Sequence, residues 1–232
     1  MAYWGEYVSA AERQASARRE IAKLEKRGQQ IEPVVLKGQQ IAKSFWGKGW
    51  CQHLESFSDY SNRLPRGRTY VRNGSVCHLK IEPGTITALV SGTSLYHVTI
   101  TITPLEPALW ETIKGQCSGQ VASLLELLRG QFSHHVMKIV TDRRHGLFPL
   151  PNQIKLDCDC PDGARMCKHL AAVLYGVGSR LDDQPEMLFR LRQVDPMELF
   201  AGGLSLPTAS NSQVLPDDQL ADLFGIELSL DP

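Results

Sequence analysis

The chain has no net charge to offer. Its 232 residues hold 25 Lys/Arg against 25 Asp/Glu, so no overall field draws it onto DNA or an anionic membrane. The start, MAYWGEY, lacks a basic n-region and an apolar h-region, and no secretory signal is expected. No phosphate-cradling Gly-Lys loop, Ser nucleophile elbow or paired-carboxylate motif is present, and no internal repeat. Residues 83–105 (PGTITALVSGTSLYHVTITITPL) are free of Asp, Glu, Lys and Arg. They are nevertheless rich in Thr, Ser and Gly, contain His97 and alternate with period two, which reads as strands rather than a membrane span. Cysteine is scarce too, at six, with seven histidines.

That scarcity makes one cluster informative. Cys158, Cys160, Cys167 and His169 fall within CDCPDGARMCKH. Three thiolates and an imidazole complete a tetrahedral ligand set for Zn²⁺; the competing reading is reduced core thiols packed as small apolar groups. Cys158 and Cys160 alternate with Asp157 and Asp159 at the end of an extended IKLDC segment, which sends both sulfurs to one face. Cys160-Pro161-Asp162-Gly163 has the residues of a tight turn. Beyond His169, Leu170, Val173, Leu174 and Val177 recur at helical spacing, so the second ligand pair lies at a helix start. The expected unit is a β-hairpin and helix clamping the ion. A reduced, cytosolic setting fits, since oxidised thiols cannot hold zinc. Cys51, Cys77 and Cys117 are scattered; Cys77-His78 and Cys51-x-His53 are weak candidates for a second site, and core or surface thiols the better reading.

The pattern Cys-x-Cys, short gap, Cys-x-His and apolar helix resembles the SWIM zinc finger. The flanking FWGKGW, RLPRGRTYVRNGSV and MLFRLR resemble the bacterial stand-alone SWIM zinc finger proteins over most of their length. The resemblance implies a role in binding nucleic acid or a partner protein, and a Swi/Snf-type helicase-like ATPase as the partner. Four protein ligands close the zinc shell, whereas a catalytic zinc keeps a position for water, so the expected protein is not an enzyme.

Charge is unevenly distributed. Residues 1–80 carry 14 Lys/Arg against 7 Asp/Glu, and residues 181–232 carry 2 against 10. A basic front and acidic back fit either a polyanion-facing end or mutual pairing of the two. The zinc loop is itself rich in Asp, so anchors for DNA or RNA are expected elsewhere: Arg63, Arg66, Arg68 and Arg72 in RLPRGRTYVR, with Tyr70 to stack on a base. A surface loop with a charge-protected strand edge is the alternative for these residues.

The expected fold class is α+β: an antiparallel β-meander followed by helices, with a C-terminal SWIM-type zinc-binding hairpin plus helix. Residues 1–40 read as a basic helical extension. Within it Ser9 and Glu12 form a capping box, Gly28 ends the helix, and a thin apolar face (Ala10, Ala17, Ile21, Leu24) docks it loosely or not at all. Residues 41–105 read as the meander domain. It opens on a helical core stripe of Trp46, Trp50, Leu54 and Phe57, continues with a strand Tyr70-Val71-Arg72 turning at Asn73-Gly74, and ends in strands 76–82, 85–90 and 96–103. Residues 106–150 read as helices (107–114, 118–129, 132–143) and a linker, and 151–203 as the finger with two further short helices. Residues 204–232 are the flexible linker, which begins near 202, and an acidic terminal helix whose Leu220, Leu223 and Phe224 form a stripe suited to docking in a partner's groove.

Overall fold

The computed structural model describes residues 9–57, 63–118 and 133–201. Helix α1, Ala10–Lys26, begins at the Ser9 capping box, with the Ser9 hydroxyl accepting from Glu12 N–H and Glu12 accepting from Ser9 N–H. It ends in a Schellman motif: Gly28 stands at φ +77°, and Gln29 N–H donates to the Leu24 carbonyl. The thin apolar face is enough to dock it. Ala17 and Leu24 are buried, and α1 packs on the first two strands. Replacing Ser9 with Ala should cost about 1 kcal/mol, read by denaturant unfolding.

The meander is as its alternation requires. Strands β1 (Val76–Glu82), β2 (Thr85–Ser91) and β3 (Leu95–Ile102) pair antiparallel in sequence order. Tyr96, Val98, Ile100 and Ile102 face the core, while His97, Thr99 and Thr101 face out. The turn at Pro83-Gly84 puts Gly84 at φ +67°. A fourth strand, β4 (Ile154–Cys158), joins β3 with Val98 opposite Cys158 and Ile100 opposite Leu156. The extended arm of the zinc loop is therefore an edge strand of the meander sheet, and its antiparallel partner is β3. The opposite edge is covered by the chain at 32–34, where Leu79 N–H donates to Glu32 O and Val34 N–H to Val76 O.

The expected strand at Tyr70-Val71-Arg72 is instead part of helix α3, Leu64–Arg72, which follows α2, Phe45–Glu55. Asn73-Gly74 turns the chain out of this helix rather than into a hairpin. Gly74 adopts φ +67°, Ser75 N–H donates to Tyr70 O and Gly74 N–H to Val71 O, a second Schellman motif. Asn-Gly serves both ends because each needs a left-handed residue. Pro65 in the first turn of α3, where its missing N–H is harmless, was the contrary signal.

Helices α4 (Pro107–Cys117) and α5 (His134–Val140) follow; the expected helix at 118–129 falls almost wholly outside the described residues, as do 202–232. Helix α6, Lys168–Asp183, is the axis of the molecule, buried continuously from His169 to Gly178. It lies against α2, α3 and the inner sheet face. Helices α7 (Glu186–Arg192) and α8 (Glu198–Ala201) close the described chain.

Glycine permits both helix crossings. A Cβ on Gly67 of α3 would stand 2.4 Å from Ala171 Cβ and 2.7 Å from the Ala171 carbonyl carbon. A Cβ on Gly47 of α2 would stand 2.4 Å from Gly178 O. Trp46, Trp50 and Leu54 are fully buried, and Trp50 Nε1–H donates to Leu174 O at 2.8 Å. Asp182 of α6 brackets the start of α2 by accepting from Lys43 N–H, Ser44 N–H and the Ser44 hydroxyl. One apolar cluster runs from Val34 through the sheet and α6 to Leu199, so meander and zinc loop share a core.

Candidate metal centre

The four ligand candidates come from two elements that the sheet and core hold in place. Cys158 ends β4 on the inner face, and Cys160 follows two residues on. The loop then returns to Cys167, the N-cap of α6, and to His169 in its first turn. The donor atoms of all four lie within 4.8 Å of one another. His169 Nδ1 is 3.9 Å from both Cys158 Sγ and Cys167 Sγ. A tetrahedral Zn²⁺ with Zn–S near 2.3 Å sets ligand-to-ligand edges of about 3.8 Å, so the spacing and the S₃N donor set fit that ion. The four side chains are positioned to bind one metal ion, and the chemistry is that of zinc. Among the described residues this is the one such cluster. Cys51, Cys77 and Cys117 stand apart from it, with burial pushing them up to about 12, 11 and 11 respectively, so they are inert thiols.

Electrostatics explain why an ion is wanted. Burial raises the Cys158 and Cys167 thiols, so thiolates there need a compensating charge. The N-terminus of α6 supplies part: Cys167 Sγ accepts from Leu170 N–H at 3.4 Å. A bound Zn²⁺ would supply the rest. Burial, then Lys168, pushes His169 down from 6.5 to about 4, leaving the ring neutral with its lone pair free at pH 7. The sign follows. The folded chain takes up this proton less readily than the unfolded chain, so this stability is whole above about pH 6.5 and is lost as pH falls toward about 4. Protons also compete for every ligand. Melting temperature and bound metal should therefore fall together between pH 7 and pH 5.

A shell of residues from the meander and from α3 positions His169. Tyr96 stacks on its ring at 4.3 Å and 25°, and Tyr70 meets it edge-on at 5.4 Å. Tyr96 OH and Thr93 Oγ1 share a 2.6 Å hydrogen bond. Gly92 closes on the far side, where a Cβ would stand 3.1 Å from His169 Nε2 and 2.9 Å from Tyr96. The loop aspartates turn outward as struts. Asp159 accepts from His97 N–H at 2.9 Å and faces its Nδ1 at 3.1 Å, and Asp162 pairs with Arg63 at 3.3 Å. Alternation places Tyr96 inward, but the β3–β4 pairing that brings it to His169 spans about sixty residues and left no local signal.

The five residues expected to contact nucleic acid do not form one open face. All lie on or just before α3. Arg63 is engaged by Asp162, Arg68 pairs with Glu55 and lies over the Tyr175 ring, and Tyr70 faces His169 beneath the Lys168 ammonium. Arg66 and Arg72 are exposed. Leu220, Leu223 and Phe224 lie outside the described residues.

Comparison with known proteins fits this geometry. Residues 146–177 match the family model of the SWIM zinc finger. This segment is a SWIM zinc finger. The match takes in β4, all four ligands and most of α6. The chain is also similar to "Uncharacterized protein Rv2102" of Mycobacterium tuberculosis. The two are 31% identical over 164 residues, 69% of this chain and 59% of that protein, so the chain spans less than two thirds of that relative's length. No solved structure matches it. Among the described residues no helix is long and apolar enough to cross a membrane.

Proposed function

We propose that this protein is a non-catalytic, zinc-stabilised accessory module of the cytoplasm that binds nucleic acid in connection with a Swi/Snf-type helicase-like ATPase. The observation that carries the structural role of the metal is that all four ligands are protein side chains, clamped between the sheet edge and the buried central helix. Such a site holds a surface rigid and offers no open position for chemistry. The nucleic-acid part is supported by the SWIM finger and by exposed cations of the basic front, Arg18, Arg19, Arg66 and Arg72, which have no acidic partner among the described residues. Four phosphate contacts give a slope of about −3 in log affinity against log salt for a single strand. Titration of DNA and RNA strands should show that slope; no binding at low salt, or binding indifferent to salt, overturns the reading.

A second reading, a protein-interaction adaptor, is favoured by the acidic back, with ten Asp/Glu against two Lys/Arg from residue 181 on. In it Leu220, Leu223 and Phe224 dock a partner ATPase. Deleting 215–232 should abolish co-purification with that partner while leaving the melting temperature unchanged. A complex that survives the deletion rules it out.

A further inference from the structure

The FWGKGW segment does more than fill the core. Its Trp50 and Gly47 face α6, but Phe45, Lys48, Gly49 and Gln52 recur at helical spacing along another stripe of α2. That stripe forms one wall of a groove of about 330 Å³, closed on the other side by Thr141, Arg143 and Phe148. The volume is at the small end of the ligand-site range. Gly49 is part of its construction. A Cβ there would press within 3.2 Å of the Phe148 ring, so its absence lets that ring close against the helix.

The lining has an uncommon composition. Phe45 is 44% exposed, one of three large apolar side chains so exposed among the described residues. Lys48 and Arg143 are exposed, have no carboxylate partner among those residues, and no acidic side chain lines the groove. His53, 4% exposed, forms part of the wall. Its Nε2 lies 3.1 Å from Pro149 O, and a carbonyl cannot donate, so Nε2 carries the proton and Nδ1 is the acceptor. That Nδ1 is buried without a partner. An aromatic surface, two unpaired cations and the two-way amide of Gln52 together call for a planar heterocycle bearing hydrogen-bonding groups and an anion.

We propose that this groove binds a nucleotide, either free or within a single strand, with the base against Phe45 and the phosphate between Lys48 and Arg143. Stacking on an exposed aromatic beside cations is how strands are held without sequence readout, and Gln52 supplies an edge contact. The proposal rests on the nucleic-acid reading for its strand form and places the base-binding site away from α3.

The test uses the full zinc-loaded chain at low salt, with anisotropy of labelled oligothymidylate and calorimetry with adenosine monophosphate. It compares the wild type, Phe45→Ala, the double variant Lys48→Ala/Arg143→Ala, and Arg66→Ala/Arg72→Ala. The changed side chains are exposed, so melting temperatures should match wild type. Strand affinity should fall about tenfold or more in the groove double variant and at least about fivefold in Phe45→Ala. Wild-type strand binding that survives both groove changes overturns the groove and leaves the nucleic-acid reading standing. Binding of the mononucleotide alone, lost in the groove variants, supports the groove with a free nucleotide as ligand and overturns the strand reading. Binding of neither ligand overturns both.

Discussion

Cys167→Ser should lower the melting temperature by roughly 15 °C. Closed zinc sites contribute about 10–16 kcal/mol of apparent folding free energy in small fingers. Here the ion joins the end of β4 to the start of α6, and α6 is the element on which α2, α3 and the sheet all pack. Its loss thus reaches the shared core and not a separable loop. A loss of about 5 kcal/mol converts to 10–20 °C for a chain of this size. Cys167 is the most sensitive ligand because it also caps α6, accepting from Leu170 N–H. Chelation of the wild type should reproduce the loss, and the variant should be indifferent to chelator. A wild-type melting temperature unmoved by strong chelation contradicts a structural ion.

Gly67→Ala should destabilise by about 3 kcal/mol, whereas Gly115→Ala should stabilise by up to about 1 kcal/mol. Both glycines are helical, and in an open helix alanine is better by nearly that amount. They differ in what a methyl group meets. At Gly115 nothing among the described residues lies within 4 Å, while at Gly67 the new carbon falls within 3 Å of Ala171 Cβ, Ala171 C and Ala172 N. Two of these three atoms are backbone, so relief requires α3 and α6 to separate, and overpacking of that kind costs about 1–3 kcal/mol or more. Paired urea unfolding curves read the contrast directly. Equal responses at the two positions would show that α3 does not approach α6 this closely.

Much of this architecture is legible in local pattern. Period-two alternation carried β1 to β3, the Ser9–Glu12 box and Gly28 bounded α1, and the Trp46/Trp50/Leu54 stripe set the buried face of α2. The ligand cluster was legible because its chemistry is local, with four donors in twelve residues. What local pattern hid was pairing at a distance. Nothing near IKLDC names β3 as its partner, and nothing near Tyr96 names His169. RLPRGRTYVR misled for a physical reason: Tyr-Val before Asn-Gly reads as a strand and hairpin, yet Gly67 fits the tight crossing on Ala171 and Gly74 fits a helix cap equally well. The arginines singled out there were sorted by the same packing, Arg63 and Arg68 into ion pairs and Arg66 and Arg72 outward.

Zinc-edge X-ray absorption on the purified full chain, with elemental analysis of the same sample, tests the central claim most directly. One zinc per chain, bound by three sulfurs near 2.3 Å and one nitrogen near 2.0 Å with no oxygen, is the predicted result. A chain without transition metal, or a coordination shell containing a water oxygen in place of any of the four side chains, would contradict it.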